Sequence, residues 1–170
     1  MKHSNGRIIA AILIANASFC LAADTVWKVR PDGIGPIKVG MSLAALNRKL
    51  HASFEPPKDA DELACYYVEP TGYPGLGVML LDGHVARVDV DGSSISTTDG
   101  IRNGVSESHV RAVYGKALKV SPNEYDPEER YLTFMSPDGQ YGIRFETDHG
   151  EVARYYAGQA KAIAFVEGCS

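Results

Sequence analysis

The stretch Ile34-Gly35-Pro36-Ile37-Lys38-Val39-Gly40-Met41-Ser42-Leu43-Ala44-Ala45-Leu46 has a second version in Gly100-Ile101-Arg102-Asn103-Gly104-Val105-Ser106-Glu107-Ser108-His109-Val110. Each sets Gly, an apolar residue and Ser ahead of a helical pattern, and the two glycines Gly40 and Gly104 lie 64 residues apart. Further on, Val85-Ala86-Arg87 returns as Val152-Ala153-Arg154, 67 residues later, each time after a turn (Asp82-Gly83-His84 and Asp148-His149-Gly150). Two motifs in one order at nearly one spacing predict an internal duplication. The unequal spacing puts a longer loop in the second copy.

Each copy reads as one helix followed by three strands. Ser42 caps a helix in which Leu43, Leu46 and Leu50 recur at helical spacing. Ser106 caps a helix over 107–114, with Val110 and Val113 facing inward, Glu107 complementing the dipole and Gly115 as a left-handed stop. Strands are expected at 64–68, 77–81 and 85–90, and again at 131–135, 141–146 and 152–157, with hairpin chemistry in the Asp-Gly and Asp-His-Gly turns. A last strand is expected at 162–166, and loops at 56–59 and 121–129. One such unit buries too little to stand alone. The fold class is therefore α+β: a tandem repeat, 24–95 and 96–170, with two helices on one face of a shared antiparallel sheet and the other face open.

The chain of 170 residues is 45% hydrophobic and 22% charged, which suits one compact domain and excludes disorder, collagen-like repeats and coiled coil. Residues 1–23 read as a signal peptide: Lys2 and Arg7, an apolar run over 8–15, then Leu21-Ala22-Ala23 before a cut that leaves Asp24 first. That run is too short to span a bilayer. Cys20 is preceded by bulky Phe19 and lacks Leu three residues earlier, which argues against lipidation. Cleavage leaves 15 basic and 21 acidic side chains, a net charge of −6, and no nucleic-acid footprint. The expected location is the periplasm or the medium. Two cysteines, Cys65 and Cys169, then remain, and an even pair in an exported chain predicts a disulfide closing a loop of about 100 residues.

The Gly-Met-Ser helix start and the element order resemble the β-lactamase-inhibitor-protein-like fold. Tandem helix-plus-sheet units build that inhibitor, and a single unit is similar to the small lipoprotein of the outer-membrane β-barrel assembly machine. In that group the helix opens with Gly-Met-Ser/Thr, continues through polar residues and Val, and leaves by Gly-x-Pro. Gly40-Met41-Ser42 matches the start without that exit; Gly104-Val105-Ser106, Val110 and Gly115 match start and middle, with Ala117 where the Pro would stand. The resemblance covers about a fifth of the chain. It implies the tandem fold and a binding role, and carries no partner-contact residue across.

Chemistry is sparse. His51, His84, His109 and His149 show no zinc-helix spacing, although His84 and His149 fall in equivalent turns of the two copies. Ser106 lacks the second Gly of a nucleophile elbow and reads as a cap. Asp59, Asp61, Glu62, Asp126, Glu128 and Glu129 cluster in loops, where charge serves solubility. We expect no enzyme, no cofactor and no metal.

Strand alternation is more informative. It sends Ala86, Val88 and Val90 inward and Val85, Arg87 and Asp89 outward; Ala153, Tyr155 and Ala157 inward and Arg154 and Tyr156 outward; Tyr141, Ile143 and Phe145 inward and Arg144 and Glu146 outward. With Cys65 and Tyr67 inward, Tyr66 joins the open face. Arg and Tyr are the side chains that contribute most at protein interfaces. The expected recognition surface is thus Tyr66, Arg87, Asp89, Arg144, Glu146, Arg154 and Tyr156, with the three arginines removable at little cost to stability. Trp27 is expected to pack over a sheet edge. The reading is a monomeric, exported, non-catalytic module that binds another extracytoplasmic protein, foremost a hydrolase it inhibits. The alternatives are an envelope-assembly accessory and, behind it, a small-ligand carrier or enzyme.

Overall fold

The computed structural model describes residues 26–59 and 62–169; the signal-peptide reading, Cys20 and Asp61 lie outside them. Strands β1 (Lys28–Arg30), β2 (Gly33–Ile34) and β3 (Ile37–Lys38) lead into helix α1 (Leu43–Leu50). Strands β4 (Cys65–Val68), β5 (Leu76–Leu81), β6 (His84–Val90) and β7 (Ser96–Thr97) precede helix α2 (Glu107–Tyr114). Strands β8 (Leu118–Pro122), β9 (Arg130–Met135), β10 (Tyr141–Asp148) and β11 (Glu151–Gln159) complete the order. Seven of them form an antiparallel sheet in the order β4-β5-β6-β11-β10-β9-β8. Its middle strand is β11, which pairs with β6 from Val90↔Tyr155 to Arg87↔Gly158.

Both helices start as their caps dictate. Ser42 accepts a hydrogen bond from the Ala45 amide and Ser106 one from the His109 amide, each at 3.3 Å. Leu46 and Val110 are fully buried, and Leu43 and Leu50 pack against the core in part. Val113 corrects the expectation, being 41% exposed. On a helix the fourth residue on lies closer to the same face than the third, and Tyr114 takes the inward place, stacked on Phe134 with ring centroids 4.7 Å apart.

The recurring motifs are bonded to one another. Gly40 N–H donates to Val85 O at 2.7 Å, Val85 N–H to Met41 O at 2.8 Å and Leu43 N–H to Gly83 O at 3.0 Å. In the second half Gly104 donates to Val152, Val152 to Val105 and Glu107 to Gly150, each at 2.8 Å. Both Val-Ala-Arg tripeptides carry a β-bulge. Met79 and Leu80 pair with Arg87 and Val85, skipping Ala86; Glu146 and Thr147 pair with Arg154 and Val152, skipping Ala153. The extra residue breaks the two-residue alternation. Val85 and Val152 therefore enter the core while Arg87 and Arg154 stay on the other face, and Ala153, expected inward, is exposed.

One apolar cluster joins Leu46 and Val110 to sheet residues including Tyr66, Val78, Leu80, Val88, Ile143, Phe145 and Tyr155. A second, four-stranded sheet, β3-β2-β1-β7, adds Val29, Ile34 and Ile37 to it. Half-buried Trp27 stacks on Tyr73 at 3.8 Å beside this small sheet. The chain expected to form a strand at 162–166 instead makes a 3-10 turn at Ala162–Ala164, and the loop expected from 121 begins as the end of β8.

Candidate functional site: the second face of the sheet

The face opposite the core residues Val78, Val88, Ile143 and Tyr155 is organised in rows across the strands. One row runs Lys119, Thr133, Arg144, Tyr156, Asp89 and Gly77. The next holds Ser121, Tyr131, Glu146 and Arg154. On the other side of the first lie Met135, Gly142, Gly158, Arg87, Met79 and Tyr67. This last row is not open. Residues 160–169 cross it as a strap, and Cys169 is joined to Cys65 of β4 by a disulfide with Cα atoms 5.3 Å apart.

Two features seat the strap. Gly142 leaves room for Ile163, because a Cβ there would lie 2.6 Å from Ile163 Cδ1. Arg87 supplies the polar tie. Its Nε and Nη2 donate to the two Asp89 carboxylate oxygens at 2.7 Å, Nη2 also to Tyr67 Oη at 2.7 Å, and Nη1 to the carbonyls of Ala162 at 2.9 Å and Phe165 at 3.2 Å. Five contacts use the fork in full. Arg87 is 3% exposed, which corrects its expected outward, solvent-facing placement. Burial opposes its charge most, but Asp89 and Tyr67 together outweigh it and raise the pKa. Tyr67 is pushed up by burial and by the charge of Asp89, so it stays a neutral phenol donating to Asp89 at 2.8 Å.

Tyr66 is the other correction. It is 8% exposed and sits in the core cluster, while Cys65 and Tyr67 occupy the strap side. Cys65 and Tyr67 do share a face; the face itself was misassigned. Apolar Tyr66 and Val68, two residues apart, were the signal for it.

Beside the strap, Arg154 Nε donates to Glu146 Oε2 at 2.8 Å and Tyr156 Oη to Glu146 Oε1 at 2.9 Å. Buried Glu146 is thus fully engaged by neighbours on its own sheet, although the Arg154 side chain is half exposed. A polar cleft of about 130 Å³ lies between Arg154, Asp91, Asp89, Tyr67 and strap residues Val166 to Gly168. Burial raises the pKa of Asp91; Arg154 opposes that, while the charges of Asp89 and Glu146 add to it. Tyr125 donates to Glu167 of the strap, a bond that, with the glutamate charge, pushes the phenol up to about 12.

Arg144 stands apart. Its Nε donates to Thr133 Oγ1 at 3.1 Å and its guanidinium lies over Tyr131, 5.0 Å from the ring centroid. Its terminal nitrogens and Lys119 carry no acidic partner among the described residues. Alternation was read along β10 but not along β8 or β9, so Lys119, Thr133 and Tyr131 were missed.

The histidine turns do not meet. With β6 and β11 antiparallel, the turn before β6 and the turn before β11 sit at opposite ends of the pair, which keeps His84 away from His149. Glu129, Asp148 and His149 bring ligand atoms within 4.8 Å of one another. Their contacts are those of a tied turn: Glu129 accepts from Thr147 Oγ1 and the His149 amide, and Asp148 contacts the His149 ring, all at 2.8 Å. Among the described residues no helix is long and apolar enough to cross a membrane. Comparison with protein-family models, with curated proteins and with solved structures returned no match. What stands, among the described residues, is a mixed α+β fold with an antiparallel sheet, two helices and one disulfide.

Proposed function

We propose that this chain is an exported, non-catalytic binding module that grips another extracytoplasmic protein, foremost a hydrolase it inhibits, through the part of the second sheet face left outside the strap. The observation that carries the reading is the division of that face. One half is sealed by the strap, and the other presents Arg144, Lys119, Thr133 and Arg154 on rigid strands. Arg and Tyr on a preformed surface are the usual anchors of protein recognition. We take the architecture as a tandem repeat, 24–95 and 96–170, both helices packing on one sheet face. The matched hydrogen bonds between helix starts and bulges, and the likeness of the Gly-Met-Ser start to the β-lactamase-inhibitor-protein-like fold, support it. The leader-like first 23 residues and the disulfide support export to the periplasm or medium, and we take the protein to act there as a monomer.

The test uses residues 24–170, immobilised and exposed to the envelope and medium of the source organism. A retained hydrolase whose activity falls on titration with this protein supports inhibition. Retention of barrel-assembly proteins moves the reading to an assembly accessory. Paired substitution Arg144→Gln and Arg154→Gln, which spares Arg87, is expected to release the partner without unfolding the protein. Undiminished binding by that folded variant overturns the assigned face.

A further inference from the structure

The three arginines of the second face differ in what they have left to offer. Arg87 spends its whole fork on Asp89, Tyr67 and the strap carbonyls. Arg154 holds Glu146 through Nε. Arg144 is fixed in direction by Thr133 and by the Tyr131 ring, yet its terminal nitrogens meet no carboxylate among the described residues. Lys119 lies two strands away in the same row, its Cα roughly 10 Å from that of Arg144 at ordinary strand spacing. Between and beside them runs a groove of about 360 Å³ lined by Val120, Met135, Ile163, Thr133 and Ser121. The strap forms one wall through Ala160 and Ile163.

Held but unpaired, a guanidinium is preorganised for a carboxylate, which it takes with two parallel N–H bonds. The second cation adds attraction and the apolar lining adds contact area. We propose that this groove receives an extended acidic segment of the partner protein, an Asp or Glu side chain docking on Arg144 and Lys119 with an apolar neighbour on Met135 and Ile163. The inference rests on the protein-binding reading and names the chemistry of the partner. Charge complementarity selects the occupant, because the two cations of this groove lack internal counter-charges while the cleft beside Asp91 carries the acids.

The probe is the acetylated, amidated pentapeptide Ser-Val-Glu-Leu-Ser, with its Gln-centred twin as control. Titration into the folded protein, followed by the Arg144 Nε–H and the Thr133 and Lys119 amide resonances, should give a saturable shift. Binding of the Gln twin, or of the Glu peptide to Arg144→Gln, is expected to be about tenfold weaker, as loss of a charge-assisted pair dictates. Arg144→Lys keeps the charge without the fork and should fall between, and raised salt should weaken the Glu peptide alone. Equal binding of the two peptides, shifts centred elsewhere, or no saturable shift at millimolar peptide overturns the site. A partner still retained by the Lys119→Gln/Arg144→Gln protein overturns this site and leaves the binding reading intact. Peptide docking at Arg144 in a protein that retains no partner does the reverse.

Discussion

Arg87 and Arg154 stand at the same place in two Val-Ala-Arg tripeptides, each one residue past a bulge. One is 3% exposed and bonded to five acceptors; the other has a half-exposed side chain and one carboxylate partner. The local backbone is the same in both. The strap makes the difference: it takes two bonds from Arg87 and covers it, while Arg154 lies across a small cleft from the strap and keeps its side chain half exposed. Residues at matching places in a recurring tripeptide are buried or left exposed according to what a distant segment lays over them.

Taking the strap off is the strongest way to break that contrast. Replacing Cys65 and Cys169 by Ser opens a loop of 104 residues, and the chain-entropy model places the loss at about 4–5 kcal/mol. Urea unfolding measures it, and amide exchange at 160–169 should rise before exchange in β10. Protection that stays unchanged at the strap would show that Arg87 and Ile163 hold it unaided.

Arg87→Met comes next. It leaves Asp89 buried in part without its cation, and breaking such a pair costs about 3–5 kcal/mol, roughly a 10 °C fall in Tm for a domain of this size. Arg154→Met strips the cation from buried Glu146 but leaves it the Tyr156 hydroxyl, and should cost less than Arg87→Met, which loses five hydrogen bonds. Equal losses in calorimetry would erase the distinction between the two arginines. The burial of Arg87 under the strap argues against the expectation that all three arginines are removable at little cost.

The smallest effect concerns Asp91, whose folded-state pKa is raised by burial and by Asp89 and Glu146 against the pull of Arg154. A carboxyl with a raised folded pKa destabilises the fold where it is charged and ceases to do so once protonated in both states. Asp91→Asn should therefore raise Tm slightly at pH 7 and leave it unchanged below pH 3. A stabilisation that persists in acid would locate its cause outside the charge.

Much of the architecture was legible in the chain. Ser42 and Ser106 announced both helices because a cap acts within three residues. The hairpin strands followed from alternation and turn chemistry, and Cys65–Cys169 from a cysteine pair. The misreadings share a cause. Val85, Ala153 and Tyr66 were placed by assuming an unbroken period of two, or a parity with nothing to anchor it, and one inserted residue reverses every assignment beyond it. Val113 lost its place to Tyr114 because the aromatic ring found Phe134 and Phe145. The small sheet escaped notice because its strands run two or three residues, too short for any periodicity.

Within the candidate site, alternation correctly put Arg87, Asp89, Arg144, Glu146, Arg154 and Tyr156 on one face. It said nothing of which were covered. Local sequence determined the helices, the turns, the bulged tripeptides and the side chains available to each face, since these depend on neighbours a few residues away. Tertiary structure alone decided that residues 160–169 fold over β6, β11 and β10 instead of adding a strand. That choice follows from Gly142 opening a seat for Ile163 and from Arg87 offering two donors to strap carbonyls more than 70 residues away, pairings that exist only once the sheet has brought them together.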